Sequence, residues 1–205
     1  MHVLIFGATR NTGWEATQLL RARGDHVTAV VRPHSDAQRL TEIGADVIRA
    51  DAFDAPSMRA ALSGKQFDAV ICSLGNTSGA PERVDHIAVA NVVDVCKEIA
   101  LPRFLLVSSI GAGDSRPALS PQAERFLGAV CALKTLGEDH LRASGLAFTI
   151  IRPGGLGRGP ANGRGILSEN PMVSGSIARA EVARLLVQCV DNAQTAGKVY
   201  SAIET

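Results

Sequence analysis

Short β-branched runs alternate with amphipathic segments along the chain, and this alternation limits the folds that the sequence can adopt. Most of the runs are almost continuously apolar, as expected for parallel strands covered on both faces. The strand candidates are Val3–Phe6, His26–Val31, Asp46–Arg49, Asp68–Cys72, Phe104–Ser108, Phe148–Arg152 and Lys198–Ile203. The helix candidates are Thr12–Arg23, Asp36–Ile43, Pro56–Leu62, Pro81–Ala100, Pro121–Ser144 and Arg179–Asp191. This order predicts an α/β fold of one domain over residues 1–205, a doubly wound parallel sheet in a three-layer αβα arrangement.

A glycine-containing turn follows the first strand and opens the first helix. Its sequence is Gly7-Ala8-Thr9-Arg10-Asn11-Thr12-Gly13. Gly7 allows a tight turn, Gly13 lets the helix approach the sheet, and the N–H groups at the helix N terminus can hold a pyrophosphate. Arg10 replaces the central glycine of the usual motif, so the motif is incomplete. Its place in a strand–turn–helix unit favours dinucleotide binding over a purely structural turn, with all of these residues except Ala8 as cofactor contacts.

The end of the second strand, Val30-Val31-Arg32-Pro33, bears on the choice of dinucleotide. An NAD-specific site usually places an acidic residue near this point, where it binds the ribose hydroxyls. A guanidinium at Arg32 instead suits a 2′-phosphate, and Arg10 can reach the same phosphate. The sequence therefore predicts NADP(H) as the cofactor, and the alternative for each arginine is a solvated surface side chain.

The segment from Gly154 to Ser176 departs from the alternation of strands and helices. It contains seven glycines and two prolines, a composition that predicts an irregular loop. Because it follows the sixth strand, it would lie at the carboxyl edge of the sheet, where ligands bind in open α/β folds. We expect a substrate loop over residues 154–176.

Composition excludes several classes of function. The formal net charge is +1 and no basic run occurs, so the chain offers no field for nucleic acid or an anionic membrane. Four cysteines, at positions 72, 96, 131 and 189, lie far apart without metal-ligand spacing, which predicts buried side chains and no metal site. No leader peptide or membrane-spanning apolar run is evident. We therefore expect a cytoplasmic protein that acts on a small molecule.

Several motifs in one order resemble a known family. They are Gly7–Gly13, Val31-Arg32-Pro33, Ala50-Asp51-Ala52, Phe104–Ser109, Thr149–Gly154 and Ile177–Ala183. Together they cover nearly the whole chain and resemble an atypical short-chain dehydrogenase/reductase of the NmrA-like and biliverdin-IXβ (flavin) reductase-like type. The resemblance implies a Rossmann-type NAD(P)-binding domain.

The resemblance also implies roles for residues at the strand ends. These are Asp51 and Ala52 at the adenine, Ser73, Leu74 and Gly75 beneath the ribose, Ser108 and Ser109 near the nicotinamide, Lys134 on the nicotinamide ribose, and Arg152, Pro153 and Gly154 as a wall beside the nicotinamide. Each has a structural alternative. Asp51 would cap the helix that begins near Pro56, the serines would only end a strand, and Lys134 would be a solvated helix lysine.

The chain departs from the wider superfamily at its catalytic tyrosine. Well-known members use a Tyr-x-x-x-Lys pair, but Val130 stands four residues before Lys134, and the single tyrosine, Tyr200, lies in the last strand. The proton for a reduction must then come from Ser109, water, the substrate or another side chain. His86 is a second acid–base candidate because histidine titrates near neutrality. We predict Ser109, Lys134 and His86 as catalytic residues.

Three functions fit these residues. The first is an NADPH-dependent reductase that transfers hydride to a small acceptor such as a flavin, quinone, enone or ketone. The second is an NmrA-like redox sensor that binds NADP(H) without turnover, and the third is an isomerase, epimerase or dehydratase that retains its cofactor. The oligomeric state expected is a monomer or a homodimer.

Overall fold

The structure is a computed structural model that describes residues 1–75 and 84–205, and its centre is an eight-stranded sheet. The strands of the chain are β1 (His2–Phe6), β2 (His26–Val31), β3 (Asp46–Arg49), β4 (Ala69–Cys72), β5 (Phe104–Val107), β6 (Phe148–Pro153), β7 (Gly155–Gly157), β8 (Gly165–Ser168), β9 (Ser176–Ala178) and β10 (Lys198–Glu204). The order in the sheet is β3-β2-β1-β4-β5-β6-β10-β8. Every pairing in it is parallel except that of β8 with β10. The seven strands from β3 to β10 in this order are therefore parallel, and their carboxyl ends lie at one edge of the sheet.

Helices cover both faces of this sheet. They are α1 (Asn11–Arg23), α2 (Gln38–Glu42), α3 (Ala55–Leu62), α4 (Val89–Glu98), α5 (Pro121–Ala143) and α6 (Arg179–Cys189). On one face, Leu20 of α1 and Leu186 of α6 are buried in the same apolar cluster. On the other, Val92 of α4 and Leu141 of α5 share a second cluster. The predicted doubly wound α/β fold is confirmed, because the apolar strands are packed from both sides as parallel strands require.

The helix predicted for Pro81–Ala100 differs from the structure at its C-terminal end, because α4 ends at Glu98. Its predicted start lies outside the described residues, and α4 is preceded by a π-helical turn over Val84–Ala88. The hydrogen bond of a π turn joins residues that are five positions apart, so the turn changes the direction in which successive side chains point. This turn packs against α5 and sets which residue faces the site described below.

The prediction that residues 154–176 form an irregular loop is wrong in part. The segment contains β7 and β8, and its last residue begins β9. Strand β8 extends the main sheet along β10, and β7 pairs with β9 in a small parallel sheet. These strands have three or four residues each and pair with distant parts of the chain, so their partners supply the order that their glycine-rich composition does not.

A buried carboxylate organises this segment. Glu181 in α6 has a fully buried side chain, and its Oε1 accepts hydrogen bonds from the Gly165 amide at 2.7 Å and from Arg184 Nη2 at 2.5 Å. Its Oε2 accepts from the amides of Asn162 and Gly163 at 3.1 and 3.2 Å. The hydrogen bond from Arg184 and those from the amides lower the pKa of Glu181 to about 2.

We expect the free energy of unfolding to fall in acid because of Glu181. Its folded pKa lies below the ordinary value of 4.5, so its contribution is complete above pH 4.5 and is lost as the pH falls toward 2. The contribution is about 3 kcal/mol, from 1.36 kcal/mol per pKa unit. Urea unfolding of the wild type and Glu181→Gln across this range measures it. The variant should lose the part of the acid dependence that Glu181 supplies, whereas Glu15→Gln should keep it. If the free energy of unfolding of Glu181→Gln fell in acid as much as that of the wild type, Glu181 would not be the source of this dependence.

Candidate functional site

A cleft of about 430 Å³ opens at the carboxyl edge of the sheet. It runs past the turn after β1 and the chain segments that follow β2, β3, β4 and β5, and α5, β7 and α6 complete its wall. The predicted residues that line it are Gly7, Thr9, Arg10, Asn11, Thr12, Arg32, Asp51, Ala52, Ser73, Leu74, Gly75, Ser108, Ser109 and Lys134. Most of the predicted site residues thus lie in one cleft.

The turn after β1 depends on two glycines that allow backbone segments to approach closely. Gly7 has φ +84°, and a Cβ atom there would lie 2.6 Å from the Ser73 carbonyl oxygen. A Cβ atom on Gly13 would lie 2.2 Å from the Gly7 carbonyl oxygen, so α1 approaches the turn at a distance that no side chain permits. Asn11 also has a positive φ, of 53°, at the first residue of α1.

The N terminus of α1 has the properties of an anion site. The Arg10 side chain, which precedes the helix, makes no capping hydrogen bond, and the first turn of α1 holds no acidic residue. Its N–H groups and the positive end of the helix dipole can therefore meet an external negative charge. The close-packed glycines leave the space that a pyrophosphate needs, so the residues fit a dinucleotide.

Two arginines lie at the end of the cleft beside β2. Arg10 and Arg32 are both exposed, and both also line an adjoining cleft with Ser35 and Asp51. Within the part of the chain that the structure describes, neither guanidinium forms an ion pair or a hydrogen bond. Their charges are therefore available to a ligand.

Asp51 does not cap the helix that begins near Pro56, which was the structural alternative for its role. Asp51 Oδ1 accepts a hydrogen bond from the Phe53 amide at 3.0 Å. The residue that caps α3 is Asp54, whose side chain accepts from the Ser57 amide. Asp51 thus shapes the chain after β3 and still lines the cleft, and Asn91 of α4 fixes the neighbouring Ala52 carbonyl at 3.0 Å.

Lys134 meets a partner that the sequence analysis did not identify. Its Nζ lies 2.7 Å from Oδ1 of Asp85, whose side chain is 1% exposed. Asp85 lies in the π-helical turn and lines the cleft, whereas its neighbour His86 does not. His86, predicted as an acid–base residue, is thus not among the residues that line the cleft, where the π-helical turn places Asp85. Val130 lines the cleft one helical turn before Lys134, where the wider superfamily has tyrosine.

Ser108 and Ser109 lie side by side after β5 but bond differently. The Ser108 hydroxyl donates to Oε1 of Glu138, a buried residue one turn after Lys134 in α5. The Ser109 hydroxyl donates to the Ile110 carbonyl at 2.9 Å. Since both protons are engaged, each serine oxygen is oriented to accept a hydrogen bond from the cleft.

Arg152, Pro153 and Gly154 do not line the cleft, which corrects their predicted place as its wall. The Arg152 side chain is 2% exposed, and its Nη2 and Nε donate to Glu138 Oε2 and Oε1 at 2.6 and 3.0 Å. Its Nη1 lies 2.5 Å from Asp114. Burial alone lowers the pKa of Arg152, but the hydrogen bonds and charges of Glu138 and Asp114 outweigh it and raise that pKa. The guanidinium is therefore charged, and its partners are Glu138 and Asp114 and not a ligand in the cleft.

Gly154 has a packing role instead. A Cβ atom on Gly154 would lie 2.3 Å from the Gly175 carbonyl oxygen, so the two ends of the glycine-rich segment pass in backbone contact. The cleft wall predicted from Arg152, Pro153 and Gly154 is formed instead by Leu156 and Arg179. Leu156 lies three residues after β6, and Arg179 is the first residue of α6. Leu156 lies in the segment predicted as a substrate loop and Arg179 in the motif Ile177–Ala183, but neither was predicted as a site residue.

The described residues contain no group of side chains suited to a metal ion. All four cysteines are buried and free. Burial raises the pKa of the Cys72 thiol to about 12 and also raises that of Cys131, so neither is a thiolate near neutral pH. Nor is any helix in residues 1–75 and 84–205 both long and apolar enough to cross a bilayer.

Comparison with known proteins decides the family. The model of a family described as NAD(P)H-binding matches residues 7–193, which include the turn after β1 and all the residues that line the cleft. The chain belongs to this NAD(P)H-binding family. The resemblance to atypical short-chain dehydrogenases/reductases of the NmrA-like type is consistent with this membership and is confirmed.

Three relatives show the range of names within this family. The solved structure of an anaerobilin reductase from Escherichia coli O157:H7 is 33% identical, covers 100% of this chain and 97% of its own, and has a TM-score of 0.90. An uncharacterised chloroplast protein of Arabidopsis thaliana is 32% identical over 98% of this chain and 76% of its own length. A Bacillus subtilis protein named as an uncharacterised sugar epimerase is 28% identical over 100% of this chain and 94% of its own length.

Proposed function

We propose that this protein is an NADPH-dependent reductase that transfers hydride to a small conjugated organic acceptor. The observation that carries the proposal is the continuity of one cleft from Arg10 and Arg32 at β2 to Ser109 and Lys134 beyond β5. That span matches a ligand with phosphates at one end and a reacting ring at the other. The high similarity to an anaerobilin reductase over the full length of both chains supports a reductase.

NADP(H) is favoured over NAD(H) by the charges beside β2. Arg32 occupies the position where an NAD-specific site has a carboxylate. A guanidinium there would attract a 2′-phosphate and bind it. Arg10 in the turn supplies a second guanidinium. Since neither has a partner in the described chain, binding would not require an existing ion pair to break.

The bound cofactor would supply the hydride, and the chain's own residues would hold the reactants. Lys134, fixed by its ion pair with Asp85, would donate to the hydroxyls of the nicotinamide ribose. Ser108 and Ser109 would accept hydrogen bonds from groups at the reacting ring. Val130 in place of tyrosine leaves no phenol there, and the Ser109 proton is engaged by the Ile110 carbonyl. The proton would therefore reach the product from water or the acceptor.

The acceptor would bind where the glycine-rich segment meets the cleft. Leu156, with 42% of its surface exposed, and Val130 give this part an apolar wall. Such a wall suits a flat conjugated ring. We propose a small molecule as the binding partner. The protein itself would act as a monomer or homodimer in the cytoplasm.

NADPH oxidation by the purified protein tests the proposal. Anaerobilin, FMN, a naphthoquinone and a conjugated enone serve as acceptors, and we expect turnover with at least one of them. Lys134→Met should lower kcat/KM about 10- to 100-fold, because a charge-assisted hydrogen bond is worth about 1.5–3 kcal/mol. Lys97→Met, at an exposed position of α4, is the matched control and should retain full activity.

The outcomes separate the three functions. NADPH and NADP⁺ binding with different affinity but without turnover would favour a redox sensor over a reductase. A cofactor that stays bound through purification, with no net consumption of NADPH, would favour a redox-neutral enzyme. Activity that survives Lys134→Met unchanged would show that the reaction takes place outside this cleft.

A further inference from the structure

Arg179 brings a guanidinium with spare donors to the cleft wall. Its Nη1 donates to the carbonyl oxygens of Leu156 and Gly157 at 3.3 and 2.9 Å, and these two bonds fix the planar group. Among residues 1–75 and 84–205, its Nε and Nη2 atoms have no hydrogen-bond partner and no carboxylate pairs with it. A guanidinium offers five N–H donors, so those that remain can bind a ligand.

The charge of Arg179 is not balanced by its neighbours in the cleft. Lys134, the other cation at this end, is already paired with Asp85 at 2.7 Å. Glu181, two residues along α6, is directed to Arg184 and to the amides of the glycine-rich segment. The described cleft lining near Arg179 therefore carries one uncompensated positive charge.

The position of Arg179 separates it from the proposed phosphate sites. Its guanidinium is fixed on the chain that leaves β6, and β6 lies three strands from β1 in the sheet. The N terminus of α1 and the two arginines near β2 already provide for the negative charges of the dinucleotide. An anion beside Arg179 would then belong to the second reactant.

We propose that Arg179 binds an oxyanion of the acceptor, so that the enzyme prefers a conjugated acceptor that carries a carboxylate or phosphate group. The inference rests on the proposed reductase function and names its substrate class. Leu156 and Val130 would contact the apolar ring system, while the free edge of the guanidinium would form paired hydrogen bonds with two oxygens of the anion.

FMN and riboflavin test this proposal because they share one ring system and differ in a phosphate. Each flavin is titrated into the complex of the protein with NADP⁺, with flavin fluorescence as the readout, and turnover with NADPH is measured separately. The wild type should bind FMN at least about 10-fold more tightly than riboflavin. Arg179→Gln should weaken FMN binding about 10- to 100-fold, with little change for riboflavin or NADPH.

Two further variants keep the test interpretable. Arg179→Lys retains the charge without the planar fork and should fall between the wild type and Arg179→Gln. Arg125→Gln, at an exposed position of α5 outside the cleft lining, should change nothing. A preference for FMN that Arg125→Gln removes to the same extent would overturn the assignment to Arg179.

The outcomes also distinguish this inference from the proposed function. Equal affinity for the two flavins, or equal losses for both in Arg179→Gln, would overturn the anion site even if NADPH oxidation proceeds. A loss of NADPH binding in Arg179→Gln would assign the guanidinium to the cofactor and overturn the inference. Preferential FMN binding without turnover would retain the anion site and remove the reductase function.

Discussion

Glu138→Leu should lower the free energy of unfolding by about 3–5 kcal/mol, the usual loss when one partner of a buried ion pair is removed. Both members of the pair are buried, with Glu138 at 1% and Arg152 at 2% side-chain exposure. The substitution would leave the Arg152 guanidinium inside the protein with Asp114 as its remaining anionic partner. It would also remove the acceptor that orients Ser108. Urea unfolding at neutral pH measures the loss.

Two variants identify the cause of that loss. Glu138→Leu combined with Arg152→Met replaces the pair by apolar side chains and should recover most of the stability, because it leaves no buried charge. Asp114→Asn changes a partner that is 67% exposed and should cost less than about 1 kcal/mol. A double variant no more stable than Glu138→Leu, or an equal loss in Asp114→Asn, would contradict a buried ion pair as the source.

Arg10→Gly with Arg32→Asp should reverse the preference between NADPH and NADH. The change would remove two guanidinium groups from the proposed 2′-phosphate site and place a carboxylate where it can bind ribose hydroxyls. Each charge-assisted interaction is worth about 1.5–3 kcal/mol, so the Kd for NADPH should rise about 100-fold or more. The Kd for NADH should fall, and calorimetry with both cofactors measures the ratio.

The free energy of unfolding of Arg10→Gly with Arg32→Asp is the control for this change in cofactor preference. Both arginines are exposed, so the double variant should unfold within about 0.5 kcal/mol of the wild type per substitution. Arg125→Gln should retain the preference of the wild type for NADPH. If the double variant still bound NADPH as tightly as the wild type, the two arginines would have no part in cofactor choice.

The parts of the fold that local pattern determines were predictable from the sequence. The strands that carry the cleft are near-continuous apolar runs, and β2 and β3 begin and end where their runs do. The turn from Gly7 to Gly13 was predictable because its glycines are required by backbone contacts within one strand–turn–helix unit. Most of the cleft lining follows from these elements, since parallel strands place their carboxyl ends at one edge.

The missed features depend on contacts between distant residues. Arg152 is the next-to-last residue of β6, and nothing near it in the sequence shows that Glu138, on the helix before that strand, neutralises it inside the core. One signal was available, because Glu138 follows Lys134 by one helical turn and so lies on the same face of α5. No sequence signal showed that Asp85, and not His86, lines the cleft, because a π turn has no reliable sequence pattern.

Titration calorimetry of the wild-type protein with NADP⁺ and NADPH tests most directly whether a phosphorylated dinucleotide occupies the cleft. Both forms should bind with one site per chain and more tightly than NAD⁺ and NADH. The absence of binding by either form of NADP, with the protein folded, would contradict the cofactor site and every catalytic assignment that depends on it.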